Sequence, residues 1–196
     1  MSRPDKTRRN LVLGLGAAAA AVTAAELAGI DRLVAIADDY KPGPSTAVAA
    51  GRILDATQLA TLRAVCSQVI PATDTPGAAE ADVHGFIDHQ LYHCHSDDQQ
   101  ETVRQVLDTL AKRADATGGF SGLSHAHQLE RLTALEASSK PFSDEDRNQF
   151  RFLKSMIVFG YFTSEIGATK ALRFLPYPGG FSGSIPHAPN DKAWFK

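Results

Sequence analysis

Apolar residues in this chain recur at helical spacing, and no stretch of useful length alternates between apolar and polar residues. Leu59, Leu62, Cys66 and Val69 follow one another three or four positions apart, and similar spacing returns in four later segments. A period near 3.6 places such residues on one face of an α-helix. The composition, with 43% hydrophobic and 21% charged residues, is that of an ordinary globular protein. The sequence therefore predicts an all-α fold, a small irregular bundle of about five helices.

Residues that favour helix starts precede most of these segments. Asp55 and Ser96 stand before the first and third helices, and Ser124 and Ser143 stand before the fourth and fifth. A side-chain oxygen at such a position accepts hydrogen bonds from the unpaired N–H groups of the first turn. The second helix is expected from about residue 81 to residue 94. These caps support the helical interpretation independently of the apolar spacing.

The first thirty residues have the pattern of an export signal. A basic start that includes Arg8 and Arg9 leads into an apolar, Gly- and Ala-rich run of about fifteen residues, uncharged until Glu26. The arginine pair in Thr7–Val12 is the arrangement of a twin-arginine signal, which serves proteins that fold before they cross the membrane. The alternatives are a plain amphipathic helix and a membrane anchor that is never cut. The export signal predicts a periplasmic protein.

The patterns divide the chain into four segments. We expect the export signal at residues 1–30, a Pro- and Gly-containing linker at 31–50, the helical domain at 51–174 and an extended tail at 175–196. Seven prolines and glycines between residues 176 and 189 exclude a helix or a central strand there. Apolar side chains in and beside this tail are expected to pack against another surface, which is either the domain itself or a partner. They are Phe174, Leu175, Tyr177, Phe181, Ile185 and Trp194.

The charge balance argues against a nucleic-acid partner. The formal net charge of the chain is −2. Removal of a signal near residue 25 takes away four basic residues and one acidic residue, which leaves a net charge of −5. Nucleic-acid binding normally requires a basic face.

The two cysteines, Cys66 and Cys94, are a candidate disulfide. An exported protein with an even number of cysteines can form such a bridge. The alternative is a pair of buried thiols, because free cysteine is among the most buried residue types.

Three histidines are the best candidates for a metal site. His89 and His93 lie four positions apart, so both can face one side of a helix, and His95 follows closely. A structural zinc site needs four ligands, however, and solvated or partly buried helix histidines are the alternative. The body of the chain has neither a Gly-x-Ser-x-Gly motif nor a glycine-rich phosphate loop. We therefore expect no catalytic, cofactor-binding or metal-binding residues in this chain.

Three stretches, at residues 66–78, 85–88 and 160–172, resemble the signature of the gluconate 2-dehydrogenase subunit 3 family. They read CSQVIPATDTPGA, GFID and GYFTSEIGATKAL, and the resemblance covers roughly residues 50–187. It implies a non-catalytic small subunit of a membrane-associated sugar or polyol dehydrogenase.

The resemblance also implies partners. The catalytic subunit is expected to be an FAD-dependent flavoprotein of the glucose–methanol–choline type, with a haem-bearing cytochrome c as a further subunit. The small subunit would bring the flavoprotein to the twin-arginine translocase and support its maturation, and the complex would be periplasmic and membrane-associated. The alternatives are a stand-alone exported metal-binding helical protein that uses His89, His93 and His95, and a membrane-tethered structural protein.

Mechanical roles can be assigned to several motif residues. Pro71 ends the first helix, and Asp74 and Thr75 can bond backbone N–H groups, so that these residues with Pro76 and Gly77 form a stiff structural loop. Gly160 lets another helix approach closely. A partner interface is predicted at the tail residues Phe174, Leu175, Tyr177, Phe181 and Ile185, together with Tyr161 and Glu165. If Glu165 is buried, it needs a cation such as Lys170 or Arg173 instead.

Overall fold

Five α-helices build the domain in the computed structural model, which describes residues 51–114, 118–175, 184, 186, 188–189 and 191–194. They are α1 (Ala56–Val69), α2 (Val83–Cys94), α3 (Asp97–Lys112), α4 (His125–Glu136) and α5 (Asp144–Thr163). A 3₁₀ turn at Phe120–Gly122 lies between α3 and α4, and a π-helical turn at Gly167–Ala171 follows α5. Across the described residues no strand is present, apart from an isolated bridge between Arg173 and Trp194. The predicted all-α bundle is confirmed.

Side-chain caps fix where the helices begin. The Asp55 carboxylate accepts a hydrogen bond from Gln58 N at 2.8 Å, and Gln58 Oε1 accepts one from Asp55 N at 3.2 Å. Ser96 and Ser143 cap α3 and α5 in the same reciprocal manner, and Ser124 caps α4. Each cap satisfies an N–H group that has no partner within its own helix. The four predicted caps are thus confirmed.

Helices α1 and α5 form the centre of the core. Helix α1 packs on α2, α3 and α4, and α5 packs on the same three helices and on the π-helical turn. The residues that meet there are fully buried, among them Leu62, Leu107, Leu135, Leu153 and Ile157. Burial of such leucine and isoleucine side chains contributes roughly 1.5–3 kcal/mol each.

Helices α2 and α5 approach each other closely at Gly160. A Cβ atom at this position would lie 2.8 Å from Phe86 Cδ1 and 3.1 Å from Val83 Cγ1. Only glycine therefore allows α2 to lie this near to α5. The role predicted for Gly160 is confirmed.

Asp88 ties the start of the domain to α2. Its buried carboxylate accepts hydrogen bonds from three successive backbone N–H groups, those of Arg52 at 2.6 Å, Ile53 at 3.1 Å and Leu54 at 2.8 Å. A Cβ atom at Gly51 would come within 2.5 Å of this carboxylate. The chain that leads into α1 is thus held against α2 by one acidic side chain.

Two further features lie outside the five helices. Helix α3 ends at Lys112, and Gly118 and Gly119 form a separate turn with positive φ angles of 104° and 64°. The tail also returns to the domain at its far end, because Arg173 N donates a hydrogen bond to Ala193 O at 2.8 Å. This pairing joins residues twenty positions apart, which helical periodicity cannot reveal.

Several predictions concern residues outside those that the structure describes. The export signal with Arg8 and Arg9 and the linker at 31–50 belong to this group, as do Tyr177, Phe181 and Ile185 of the tail. Among the helices of the described part, none is both long enough and apolar enough to cross a membrane.

Candidate interaction site

The loop after α1 is a tight structure closed by backbone hydrogen bonds. Ala78 N donates to Ile70 O at 2.9 Å, and Thr73 N donates to Thr75 O at 3.0 Å. A Cβ atom at Gly77 would lie 2.5 Å from Ile70 O and 2.6 Å from Ala72 N, so only glycine fits where the loop closes. The predicted structural loop from Pro71 to Gly77 is therefore formed in the structure.

The way this loop is held differs from the prediction in one respect. Asp74 is exposed, and neither its carboxylate nor the Thr75 hydroxyl bonds a backbone N–H group of the turn. Gly77 N instead donates to the Glu80 carboxylate at 3.0 Å. The bonds predicted from Asp74 and Thr75 are thus not among those that close the turn.

Tyr161 joins this loop to the end of α5. Its ring is buried, with 2% of its surface exposed, and its hydroxyl donates a hydrogen bond to Pro76 O at 2.7 Å. The two residues are 85 positions apart in the chain. The two longer sequence motifs, at residues 66–78 and 160–172, therefore meet in space.

The chain turns sharply where α5 ends. Gly167 N donates to Ser164 Oγ at 3.0 Å, and Ser164 Oγ donates to Tyr161 O at 2.7 Å. A Cβ atom at Gly167 would lie only 1.9 Å from Tyr161 O, so the π-helical turn can press against α5 only with glycine there. We call the loop 70–78 and the corner 160–168 together the motif junction.

The motif junction carries several exposed side chains. Pro71, Thr73 and Asp74 are exposed on the loop, and Phe162 and Glu165 are exposed on the corner. These side chains stand on a backbone that six hydrogen bonds and two obligatory glycines hold in place. A rigid, exposed surface of this kind loses little conformational entropy when it docks.

Two residues of the predicted interface, Tyr161 and Glu165, differ in their exposure. Tyr161 was expected to contact a partner, but its burial rules out such a contact and makes it a support of the loop. Glu165 is exposed and forms no ion pair with Lys170 or Arg173, so the alternative of a structural salt bridge does not hold for it. Its carboxylate is free to face another molecule.

Tyr161→Phe tests the bond that joins the two motifs. We expect this variant to lower the free energy of unfolding by about 1 kcal/mol, because Pro76 O loses its donor while the ring stays in the core. Urea unfolding followed by circular dichroism measures the change. Tyr92→Phe is the matched control, since Tyr92 is 55% exposed. An equal fall in the free energy of unfolding in both variants would show that the bond from Tyr161 to Pro76 does not stabilise the fold.

The candidate disulfide between Cys66 and Cys94 is not formed in this structure. Both cysteines are free: Cys66 is buried in α1, and Cys94 is exposed at the end of α2. Burial, with a further contribution from the Asp82 carboxylate, raises the pKa of the Cys66 thiol. This thiol stays protonated at neutral pH, so it is not a nucleophile. The alternative of two buried thiols holds for Cys66 alone.

The start of α2 contains a buried polar pair. His84 Nε2 lies 3.4 Å from the Asp82 carboxylate. Burial lowers the pKa of His84, Asp82 opposes this effect, and Arg63 adds to the lowering. The imidazole is therefore neutral at neutral pH. A neutral histidine beside a carboxylate, with a protonated thiol nearby, is a structural arrangement of the core.

The three candidate metal-binding histidines have other contacts. Arg52 Nη1 donates a hydrogen bond to His93 Nε2 at 2.5 Å, so the lone pair of this nitrogen is engaged. His89 is buried with its ring 4.5 Å from that of His93, and His95 Nδ1 donates to Gln99 Oε1 at 3.0 Å. Across the described ranges, no three His, Cys, Asp or Glu side chains come together as metal ligands.

The base of the tail carries the exposed residues that were predicted there. Phe174 and Leu175 are 45% and 47% exposed, and Trp194 nearby is 38% exposed. The Arg173 guanidinium stacks on the Trp194 ring at 4.3 Å from its centroid. Trp194 belongs to the apolar tail residues that were expected to pack against another surface, but its stacking on Arg173, 21 positions earlier, could not be predicted from local spacing.

The fold defines a class, a small all-α domain in which the two longer motifs meet. The model of the gluconate 2-dehydrogenase subunit 3 family matches residues 56–179, and the chain belongs to this family. The resemblance of the motifs is thereby confirmed. The family takes its name from a subunit of a heteromeric dehydrogenase. Neither the curated proteins nor the solved structures gave a match.

Proposed function

We propose that this chain is the non-catalytic small subunit of an FAD-dependent sugar or polyol dehydrogenase. It carries a flavoprotein catalytic subunit of the glucose–methanol–choline type through the twin-arginine translocase and supports its maturation. The observation that carries the proposal is the family membership over residues 56–179. The Arg8-Arg9 pair before an apolar run adds the export route.

The chemistry of the described side chains supports a non-catalytic role. The Cys66 thiol is buried with a raised pKa, the His84 imidazole is neutral and buried, and Arg52 occupies His93. These groups serve packing and hydrogen bonding. We place the FAD in the catalytic subunit, and haem c in a cytochrome subunit that receives the electrons.

The location follows from the same proposal. A folded flavoprotein bound to a twin-arginine subunit reaches the periplasm together with it, and the cytochrome subunit then holds the complex at the membrane. We assign the contact with the flavoprotein to Phe174, Leu175 and the tail beyond them, which includes Tyr177, Phe181 and Ile185. Glu165 belongs to the same interface.

Co-purification tests the proposal. The tagged chain, produced in its native host and purified from the periplasm, is expected to bring with it one larger protein that shows flavin absorbance and sugar dehydrogenase activity. A tagged, unrelated exported protein is the control. The proposal fails if the chain elutes alone, or if the chain without a partner oxidises a sugar.

A further inference from the structure

The body of the domain and the segment that follows it differ in net charge. Residues 51–165 contain ten basic and sixteen acidic residues, whereas residues 166–196 contain four basic residues and one acidic residue. The single acid of the second segment, Asp191, accepts a hydrogen bond from Ala188 N at 2.7 Å. A basic segment thus ends a chain whose body is acidic.

The basic residues of this segment lie beside its exposed apolar side chains. Arg173 stacks on Trp194, and Lys192 Nζ donates to Lys170 O, which draws the returning chain onto the π-helical turn. Arg173, Phe174, Asp191 and Lys192 line one open cleft. We call this surface the basic-aromatic patch. Its members are Lys170, Arg173, Phe174, Leu175, Lys192 and Trp194.

Two of the positive charges of the patch have no ion-pair partner in the part of the domain that the structure describes. Neither Lys170 nor Arg173 forms an ion pair with any of the described residues, and both are exposed. Cations that stand beside exposed aromatic rings are typical of the centre of a protein interface, where Trp and Arg contribute most of the binding energy. The stacking of Arg173 on Trp194 and the hydrogen bond from Arg173 N to Ala193 O hold both side chains in place before a partner binds. This order lowers the conformational entropy that is lost on docking.

We infer that the basic-aromatic patch docks onto an acidic, apolar groove of the flavoprotein subunit, with the stacked Arg173 and Trp194 at the centre of the contact. This inference rests on the proposed function. It adds that the binding surface of the flavoprotein is acidic and apolar. The charge of the patch, opposite to that of the acidic body, orients the small subunit so that this end meets the partner.

Charge reversal in the purified two-subunit complex tests the inference. The variant Lys170→Glu with Arg173→Glu is compared with Lys140→Glu with Arg151→Glu, which makes the same change in net charge at exposed positions elsewhere. We expect the first variant to raise the dissociation constant at least tenfold at about 50 mM salt and less than about threefold at about 500 mM salt, because salt screens the attraction. The control stays within about twofold of the unaltered chain at both salt concentrations.

A Trp194→Ala variant separates the contribution of the aromatic ring to the binding affinity from the contribution of the charges. We expect Trp194→Ala to weaken the complex at least tenfold at both salt concentrations, since loss of an aromatic anchor is little affected by screening. Circular dichroism shows whether the helical domain of each variant remains folded.

Several outcomes would overturn the inference. One is that the charge reversal at Lys170 and Arg173 does not change the dissociation constant, or changes it no more than the control variant does. Another is a chain that binds phosphatidylglycerol vesicles through this patch while its affinity for the flavoprotein does not depend on it, which would assign the patch to a lipid surface. If the unaltered chain forms no complex at any salt concentration, the proposed function itself fails, which is a distinct result.

Discussion

Arg8→Lys combined with Arg9→Lys should leave the dehydrogenase activity of the partner subunit in the cytoplasm. The two arginines are the distinguishing residues of the signal, and lysine keeps their charge while it removes the paired guanidinium groups. Because the flavoprotein is proposed to have no signal of its own, its export depends on this chain. We expect periplasmic activity to fall about tenfold or more, with the lost activity recovered from the cytoplasm.

Fractionation of cells that express both subunits measures this effect. Arg3→Lys is the matched control, since it makes the same chemical change outside the arginine pair and should leave export intact. Undiminished periplasmic activity in the double variant would show that the flavoprotein travels by another route.

Asp88→Ala is expected to destabilise the domain more than Tyr161→Phe does. Three backbone N–H groups, those of Arg52, Ile53 and Leu54, would lose their acceptor at once, and Leu54 N has little access to water because Leu54 is buried. An unpaired buried group costs about 1–3 kcal/mol, so we expect the free energy of unfolding to fall by about 3 kcal/mol. Asp88→Asn keeps one acceptor oxygen and should lose about half as much.

Urea unfolding at neutral pH measures both Asp88 variants. Asp74→Ala is the control, because Asp74 is exposed in the loop and its carboxylate makes no hydrogen bond there, and it should change the stability by less than about 0.5 kcal/mol. A comparable loss from Asp74→Ala and Asp88→Ala would mean that the bonds to the 52–54 backbone contribute nothing.

The helices could be predicted from the sequence because their determinants are local. Asp55 and Gln58 lie three positions apart, and the apolar residues of α1 repeat within single turns. The same holds for the role of Gly160, since a glycine inside a helical apolar stripe indicates a close neighbour without naming it. Local patterns of this kind survive in the folded chain because packing of the helices reinforces them.

The contacts that shape the candidate site could not be predicted in the same way. The bond from Tyr161 to Pro76 and the bonds from Asp88 to residues 52–54 join positions 34 to 85 apart. A tyrosine in an apolar stripe is equally compatible with burial and with an interface, and an acid in a short motif carries no sign of the N–H groups that it will bind. The exposed Glu165 and the free Cys94 likewise depend on how helices are arranged in space.

The hydrogen bond between Tyr161 and Pro76 has a consequence for synthesis. The loop leaves the ribosome early, whereas the hydroxyl that braces it arrives only after most of the domain has been made. The loop closes through its own backbone bonds, and the bond from Tyr161 is added only after α5 has been made. The last stiffening of this surface is therefore coupled to the assembly of the helical bundle.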